Sequence, residues 1–184
     1  MIQRETYLSQ LRELKDVQII KVLAGVRRCG KSTLLEQFRN ELLSEGVPAS
    51  NIQRYNLEEP ENTKFEYWRD FYFHIKNSLS DEGMNYVFLD EIQMLDNFER
   101  LLDGLHILKN VDLYATGSNA YLLSGELATI LTGRAITIEI YPFSFAEYVE
   151  YQNIEKPSDN DLVNYMQTGG FPQALELLNI SRSA

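Results

Sequence analysis

Hydrophobic and polar positions follow two different spacings along the chain, and the two spacings alternate. Apolar or alternating runs of strand length occur at residues 17–24, 52–57, 86–89, 111–116 and 135–140. Apolar side chains at helical spacing predict helices at residues 6–15, 32–43, 64–79, 97–109 and 121–131, with two more near 144–151 and 159–167. Strands that alternate with helices favour a parallel sheet covered on both faces. The pattern therefore predicts a three-layer α/β fold with a central, mainly parallel five-stranded sheet flanked by helices.

The link between the first strand and the next helix matches a phosphate-binding loop. Residues 25–32 read GVRRCGKS, in agreement with the pattern G-x-x-x-x-G-K-[ST]. The glycines let backbone amides turn toward phosphate oxygens, and the following helix adds its positive dipole. Lys31 is predicted to place its charge against the outer phosphates, and the Ser32 hydroxyl to bind Mg²⁺. Against the alternative of a plain glycine turn, the predicted nucleotide-binding residues are Gly25, Val26, Arg27, Arg28, Cys29, Gly30, Lys31, Ser32 and Thr33.

Two acidic residues follow the apolar run at residues 86–89. In a parallel sheet the carboxyl end of this strand lies beside the phosphate-binding loop. Asp90 is therefore predicted to hold Mg²⁺, and Glu91 to activate the attacking water as a general base. The alternative is a pair of surface acids at a strand end, which is common where no phosphate-binding loop precedes the strand.

A third polar segment, Thr116-Gly117-Ser118-Asn119, ends the fourth predicted strand. If this strand lies between the first and the third, its final side chains face the outermost phosphate of a bound nucleotide. Ser118, and after it Asn119, is then predicted to position the attacking water. Ordinary turn chemistry favours the same residue types and is the alternative.

Composition and charge narrow the class of protein. The chain has 184 residues, a net charge of −10 and a pI of about 4.7. This acidic balance argues against direct nucleic-acid binding by the domain. Cys29 is the single cysteine, so no internal disulfide forms, and no apolar run suits a signal peptide or a membrane span. We therefore expect a cytoplasmic protein with a core at residues 1–150 and a short helical extension at residues 151–184, the start of a further C-terminal part.

Together these motifs resemble those of the prokaryotic AAA+ ATPases. A narrower resemblance is to a bacterial and archaeal family with a GVRRxGKST loop, a FLDEIQ strand end and a TGSN segment, here at residues 25–33, 88–93 and 116–119. The later family motifs LTGR, YPFSFAEY and GGFP fit residues 131–134, 141–148 and 169–172. The resemblance covers nearly the whole chain and implies a P-loop fold of the AAA+ (ASCE) type with Mg²⁺-dependent ATP hydrolysis. Members usually continue into a C-terminal domain, so it implies a switch or motor for the protein's own C-terminal domain.

The resemblance also suggests a role for Arg134. In AAA+ assemblies an arginine near this position can reach the γ-phosphate of a neighbouring subunit, which would require a homo-oligomer of the full-length protein. An arginine that interacts with a helix dipole is the equal alternative. For Arg27 and Arg28 there are two alternatives. One of them contacts the nucleotide or a neighbouring acidic residue, or both remain exposed to solvent. Cys29, beside a helix N-terminus, has either a lowered thiol pKa or no role beyond its small size.

Three functions remain open from the sequence. The leading one is an ATPase that uses ATP and Mg²⁺, and the residues predicted to carry its catalysis are Lys31, Glu91, Ser118, Asn119 and Arg134. A nucleotide-binding regulatory module with little or no turnover is the second. A small-molecule kinase is the third, and Glu91 argues against it because such kinases rarely need a water-activating acid directly after the metal-binding aspartate. A GTPase would need an N-K-x-D stretch, which the sequence lacks.

Overall fold

Five parallel strands form the centre of the fold. The computed structural model describes residues 2–62, 65, 67–118, 131 and 133–183. Its strands are β1 (Ile20–Ala24), β2 (Ile52–Asn56), β3 (Asn85–Asp90), β4 (Val111–Gly117) and β5 (Ala135–Glu139). They pair in parallel throughout, in the order β2-β3-β4-β1-β5. The predicted five-stranded sheet is confirmed, and β4 lies between β1 and β3, so the carboxyl ends of all three strands meet at one edge.

Helices cover the sheet and continue beyond it. The described residues form α1 (Glu5–Glu13), α2 (Lys31–Ser44), α3 (Trp68–Ser78), α4 (Phe98–His106), α5 (Phe145–Tyr151), α6 (Asp159–Thr168) and α7 (Pro172–Ser183). Short 3₁₀ turns lie at Ala49–Asn51, before β2, and at Ile92–Met94, after β3. The helix predicted at residues 121–131 falls, apart from Leu131, outside the described residues.

The two faces of the sheet bury separate apolar clusters, because successive strand residues point to opposite faces. In β1, Ile20 and Val22 belong to the cluster that contains the inward faces of α3 and α4. Leu23 belongs to the cluster on the other face, with α1 and α2. The predicted three-layer arrangement is therefore confirmed.

A buried group of polar side chains lies toward the amino ends of the strands. Lys21 and Asp112 form an ion pair in which neither side chain is more than 1% exposed. Asp112 Oδ2 also accepts hydrogen bonds from the Tyr114 hydroxyl at 2.8 Å and from the Asp16 amide at 2.9 Å. Burial and the Asp112 carboxylate raise the pKa of Tyr114, which keeps its hydroxyl a donor. We call Lys21, Asp112, Tyr114, Asp16 and Tyr86, whose hydroxyl donates to Asp16, the amino-end cluster.

The first strand begins later than the hydrophobic pattern predicts, at Ile20 rather than Val17. Val17 is 47% exposed, and the amide of Ile19 donates to its carbonyl oxygen at 2.7 Å in a tight turn. Asp16 before it has a φ of 62°. The turn brings the Asp16 amide to Asp112. A tertiary hydrogen bond therefore decides where the strand starts, against the local β-propensity of Val17.

Helix α7 is an element that the hydrophobic pattern does not predict. It begins at Pro172, where a fixed φ and a missing amide suit the first helical position. The chain reaches this point through Gly170, on which a Cβ would lie 2.0 Å from the carbonyl oxygen of Phe143. Leu175 of α7 then packs with Ile2 and Phe143 in a third apolar cluster. This cluster joins the beginning of the chain to its C-terminal helices.

Candidate functional site

Two glycines allow the tight loop between β1 and α2. A Cβ on Gly25 would lie 2.2 Å from the carbonyl oxygen of Ile140, so the loop can approach that backbone only without a side chain. Gly30 has a φ of 102° and forms the N-cap of α2. The loop thus ends at a helix N-terminus, where free backbone amides and the helix dipole favour an anion.

Lys31 is almost completely buried at the centre of this loop, with 3% of its surface exposed. Its Nζ donates to the carbonyl oxygens of Gly25 at 3.1 Å and Val26 at 3.3 Å. The same nitrogen lies 4.0 Å from Oε1 of Glu91. The sequence therefore places a buried ammonium group between the loop and the end of β3, held by neutral carbonyls and one carboxylate at a longer distance.

Asp90 gathers two hydroxyl groups at the end of β3. Its Oδ1 accepts a hydrogen bond from Ser32 Oγ at 3.0 Å and a second, short one from Thr116 Oγ1. The Thr116 hydroxyl in turn accepts from the backbone amide of Glu91 at 3.0 Å. Hydroxyl and carboxylate oxygens are the ligands that Mg²⁺ prefers, so the donor set of Ser32 and Asp90 fits this ion.

Thr116 belongs to the candidate site, although sequence reasoning passed over it in favour of its neighbours. It is fully buried and links Asp90 to Glu91 across the β3–β4 pair. The available signal was a threonine near the end of an apolar strand, in a chain where another apolar strand ends in two acidic residues. Together these residues make the carboxyl-end cluster, which consists of Lys31, Ser32, Asp90, Glu91, Thr116 and Ser118.

Glu91 stands at a sharp change of backbone direction. It has φ 54° and ψ 50°, a left-handed conformation that non-glycine residues adopt only occasionally, and it caps the Ile92–Met94 turn. Its Oε2 accepts hydrogen bonds from Ser118 Oγ at 2.9 Å and Gln93 Nε2 at 2.5 Å. The strained backbone thus turns the carboxylate from the strand end toward the loop and toward Ser118.

Two of the arginines predicted as site residues lie away from this cluster. Arg134 directly precedes β5, whose first residue, Ala135, pairs with Ile20 at the amino end of β1. The loop follows the carboxyl end of β1, so the length of that strand, about 16 Å, separates Arg134 from the loop. Its guanidinium pairs with Asp103 at 2.8 Å. Arg27 is exposed and pairs with Glu58 at 3.1 Å, which agrees with contact to a neighbouring acid. Asn119 lies outside the described residues.

The other predicted loop residues differ in their surroundings. Arg28 and Thr33 line the cavity beside the loop. Val26 is 45% exposed. Cys29 is completely buried, and burial raises the pKa of its thiol. Of the two alternatives for Cys29, the lowered thiol pKa is therefore wrong, because desolvation outweighs the neighbouring positive charges.

A cavity of about 560 Å³ opens beside the loop. It is lined by loop and α2 residues together with Glu91. Ile2, Phe143, Tyr151 and Pro172 line the same cavity, and we call these four residues its apolar wall. Sequence reasoning missed this wall, because its residues come from distant parts of the chain and meet only in the folded structure.

Arg4 ties the loop to the C-terminal helices and was also missed. Only 5% exposed, it donates to the Cys29 carbonyl at 3.2 Å and the Tyr141 carbonyl at 2.9 Å. Its Nε lies 2.7 Å from Oε1 of Glu147 in α5. Burial alone would raise the pKa of Glu147, but hydrogen bonds from Arg4 and Ser144 outweigh it, so the pKa lies below its usual value. No local sequence pattern signals such a long-range contact.

Comparison with known families agrees with this geometry. A family model described as "AAA domain" matches residues 18–149, well over half of the chain. The chain belongs to the AAA domain family. The match begins just before β1 and ends within α5, so it contains the loop, the two acids and Ser118. Membership in the AAA domain family supports a nucleotide-binding, ATPase-like function.

Two curated relatives of this AAA domain are longer proteins. An uncharacterized protein of Haemophilus influenzae is 41% identical over 179 residues, which cover 95% of this chain and 45% of that protein. An uncharacterized protein of Methanocaldococcus jannaschii is 32% identical over 164 residues, or 84% of this chain and 36% of that one. The chain thus spans less than half the length of either relative.

Solved structures of other AAA-type proteins share the fold at low identity. AMPPCP-bound DnaA from Aquifex aeolicus matches with a TM-score of 0.58 and 13% identity, over 95% of this chain and 58% of that one. An Hsp104–casein complex from Saccharomyces cerevisiae matches with a TM-score of 0.61 and 20% identity, over 98% of this chain and 37% of that one. Identities this low support the fold alone. Within the described part of the AAA domain, no helix is both long and apolar enough to span a membrane.

Proposed function

We propose that this AAA domain binds ATP with Mg²⁺ and hydrolyses it. One observation carries the proposal: a buried lysine, a hydroxyl–aspartate pair and a second carboxylate converge at the carboxyl edge of the sheet. Ser32 lies 3.0 Å from Asp90, and Lys31 lies 4.0 Å from Glu91. These are the groups that phosphoryl transfer to water requires, since its catalysis is mostly positioning and charge stabilisation.

The loop and Lys31 hold the phosphates in this proposal. Lys31 Nζ now donates to two loop carbonyls, which are neutral acceptors. A phosphate oxygen is a stronger acceptor because it is charged, so the ammonium exchanges these bonds for contacts with the nucleotide. Backbone amides at the start of α2 supply further donors.

Ser32 and Asp90 hold the metal ion. The Ser32 hydroxyl and the Asp90 carboxylate would supply protein ligands for Mg²⁺, whose positive charge would offset the charge that develops on the phosphates. Thr116 keeps Asp90 oriented for this role through its hydrogen bond to the carboxylate. Because Asp90 is only 3% exposed, the carboxylate is kept from rotating freely into solvent.

Glu91 takes the proton of the attacking water. Its Oε1 faces Lys31, beside the space in which the outer phosphates lie in this proposal, and the residue lines the cavity. A carboxylate in this position raises the nucleophilicity of water by accepting its proton as the new O–P bond forms and the bond from the γ-phosphorus to the bridging oxygen breaks, with ADP as the leaving group. In this proposal Ser118, and Asn119 beside it in sequence, orient that water.

The apolar wall of the cavity suits the base of the nucleotide. Ile2, Phe143, Tyr151 and Pro172 present flat or small apolar surfaces on which a purine can lie. Gln37 and Gln173 add polar groups to the same cavity, and Gln37 is fixed by a 2.7 Å hydrogen bond to the Ile2 carbonyl. The cavity therefore combines polar groups for phosphates with apolar surface for a ring.

Slow turnover by a single copy is the second candidate, and the place of Arg134 favours it. Because Arg134 lies at the amino ends of the strands, its side chain is too far away to contact phosphates bound at the loop of its own chain. It acts in this proposal on the nucleotide of a neighbouring copy, as the arginine finger of a homo-oligomer. The domain then serves as a switch or motor for the rest of a longer protein.

Mixing Arg134→Ala with Glu91→Gln copies of that longer protein should restore activity, and absence of any rescue contradicts the role in trans.

Calorimetry of ATP binding tests the proposed site directly. Lys31→Ala removes the charge that faces the outer phosphates, and we expect ATP affinity with Mg²⁺ to fall at least tenfold, about 1.4 kcal/mol. Lys15→Ala is the matched control, because Lys15 pairs with Glu45 on the surface. It should leave the affinity unchanged. Equal affinities of wild type and a folded Lys31→Ala variant would mean that the nucleotide binds elsewhere.

A further inference from the structure

The two carboxylate oxygens of Glu91 have different surroundings. Oε2 accepts two hydrogen bonds, from Ser118 Oγ at 2.9 Å and from Gln93 Nε2 at 2.5 Å. Oε1 faces Lys31 Nζ at 4.0 Å, beyond hydrogen-bond distance. One oxygen is therefore anchored to neighbouring side chains, and the other is directed toward the loop.

Gln93 owes its position to the turn that follows β3. Ile92 is completely buried, and the amide of Met94 donates to the Glu91 carbonyl at 3.0 Å. These two anchors fix the turn between them, so the Gln93 side chain returns to the carboxylate two residues before it. Its Nε2 also lies 3.4 Å from Ser118 Oγ. Glu91, Gln93 and Ser118 thus form a closed set of contacts across β3 and β4.

The orientation of the Gln93 amide follows from the charge of its neighbour. A carboxylate accepts hydrogen bonds and donates none, so the amide nitrogen must face it and the amide oxygen must point away. That oxygen is buried and has no hydrogen-bond partner among the residues that the structure describes. The orientation that lets Nε2 of Gln93 donate to Glu91 therefore leaves Oε1 of Gln93 without a donor among the described residues.

Lys31 is the group against which Glu91 is held. Opposite charges 4.0 Å apart in a mostly buried site attract each other strongly. A carboxylate free to rotate would close this gap and form a direct ion pair, in which the base is tied up and the lysine is drawn away from the phosphates. Two donors on Oε2 oppose that movement.

We propose that Gln93 is a positioning residue, which together with Ser118 holds Oε2 of Glu91 so that Oε1 stays free to accept the proton of water. The inference rests on the proposed ATP hydrolysis and assigns a role to each oxygen of its general base. Gln93 itself touches neither the nucleotide nor the water.

A double-mutant comparison tests this role. Gln93→Met keeps the length of the side chain and removes the amide. In single-turnover hydrolysis of ATP we expect the rate to fall about 10- to 100-fold, because the base is displaced while the substrate stays bound. The ATP dissociation constant should stay within about twofold, since the Gln93 amide contacts Glu91 and Ser118 and is not among the described residues that line the cavity.

The same change in a Glu91→Gln background separates positioning from a structural role. With the base already removed, Gln93→Met should reduce the remaining rate by less than about twofold. If Gln93→Met does not fold, Gln93→Asn keeps an amide but shortens the side chain by one methylene, which withdraws the donor from Oε2, and it should show the same dependence on Glu91.

Gln53 provides the matched control for losing a buried glutamine. It lies near the amino end of β2 and donates to the carbonyls of Ser50 at 2.8 Å and Ser78 at 3.1 Å. Its amide oxygen also lacks a partner among the described residues. Gln53→Met should lower the urea midpoint of unfolding and leave the hydrolysis rate per folded molecule unchanged.

The outcomes distinguish this inference from the proposed function. Full hydrolysis by Glu91→Gln, or no hydrolysis by wild type, overturns the proposed function and this inference with it. A large loss in Glu91→Gln with a wild-type rate in Gln93→Met overturns only the inference. Equal fractional losses from Gln93→Met in both backgrounds overturn it as well, because the residue would then act without Glu91.

Discussion

The sheet carries a buried polar cluster at each end, and the two clusters have similar compositions. Each contains a lysine, carboxylates and hydroxyl groups on or beside the central strands. In the amino-end cluster Lys21 bonds directly to Asp112 and donates to the Val17 carbonyl at 2.6 Å. In the carboxyl-end cluster Lys31 lies 4.0 Å from its nearest carboxylate, Glu91, and the cluster opens on the 560 Å³ cavity.

The difference lies in pairing: the lysine is tightly paired in the amino-end cluster, and in the carboxyl-end cluster, where we propose chemistry, it is only loosely paired. Asp112 receives donors from Lys21, Tyr114 and the Asp16 amide, which satisfy a charge that has no access to water. At the other end Glu91 adopts a left-handed backbone, and its Oε1 receives no hydrogen bond from the residues that the structure describes. Incomplete pairing and local strain cost stability, and they are typical of sites that bind a ligand.

The largest effect on stability is expected when the pairing at the amino end is broken. Asp112→Asn keeps the shape and leaves the buried Lys21 ammonium without a counter-charge, which should reduce the free energy of unfolding by about 3 kcal/mol or more. Urea denaturation measures this loss. Adding Lys21→Met should recover most of it, since the uncompensated charge is then gone. A loss below about 1 kcal/mol in the single variant would show that the pair is not a structural support.

The identical substitution at the other end should have a much smaller effect on stability. Asp90→Asn retains an oxygen that accepts from Ser32 and Thr116 and removes a charge from a crowded site, so unfolding should change by less than about 1 kcal/mol. The Mg²⁺ dependence of ATP binding should weaken instead, as measured by calorimetry with Mg²⁺ and with EDTA. A destabilisation as large as that of Asp112→Asn would remove the contrast between the two clusters.

The smallest effect concerns the contact of Arg4 with Glu147. The pKa of Glu147 is lowered in the folded state, so its contribution is present above the unfolded pKa, near the ordinary value of 4.5, and disappears as the pH falls through the folded one. Wild type should therefore lose about 1 kcal/mol more than Glu147→Gln on acidification below that value. Parallel pH profiles of the urea midpoint for the two proteins would contradict this.

The positions of the strands along the chain and of the loop could be predicted because they depend on local signals, whereas the order of the strands in the sheet was not predicted. Three features can be recognised in the sequence without knowledge of the tertiary structure: the apolar runs, the glycines of the loop and the two acidic residues at the end of β3. Parallel pairing then forces the carboxyl ends together, which is why Ser32 and Asp90 lie 3.0 Å apart.

Residues that join distant parts of the chain could not be predicted in this way. Arg4 meets Glu147 across 143 positions, and the apolar wall of the cavity combines Ile2 with Pro172. In the sequence Thr116 has the pattern of an ordinary strand residue. Its link to Asp90 and Glu91 becomes visible only when β3 is known to pair with β4. The pKa of Cys29 depends on burial, which the helix N-terminus beside it does not reveal.

The central claim is that the carboxyl-end cluster hydrolyses ATP with Glu91 as the base. Single-turnover hydrolysis, with the enzyme in excess over ATP, measures the chemical step in wild type and Glu91→Gln. The account predicts a fall of about 10²- to 10⁴-fold, the usual contribution of a general base, with ATP still bound in the variant. Hydrolysis by Glu91→Gln at the wild-type rate would contradict it.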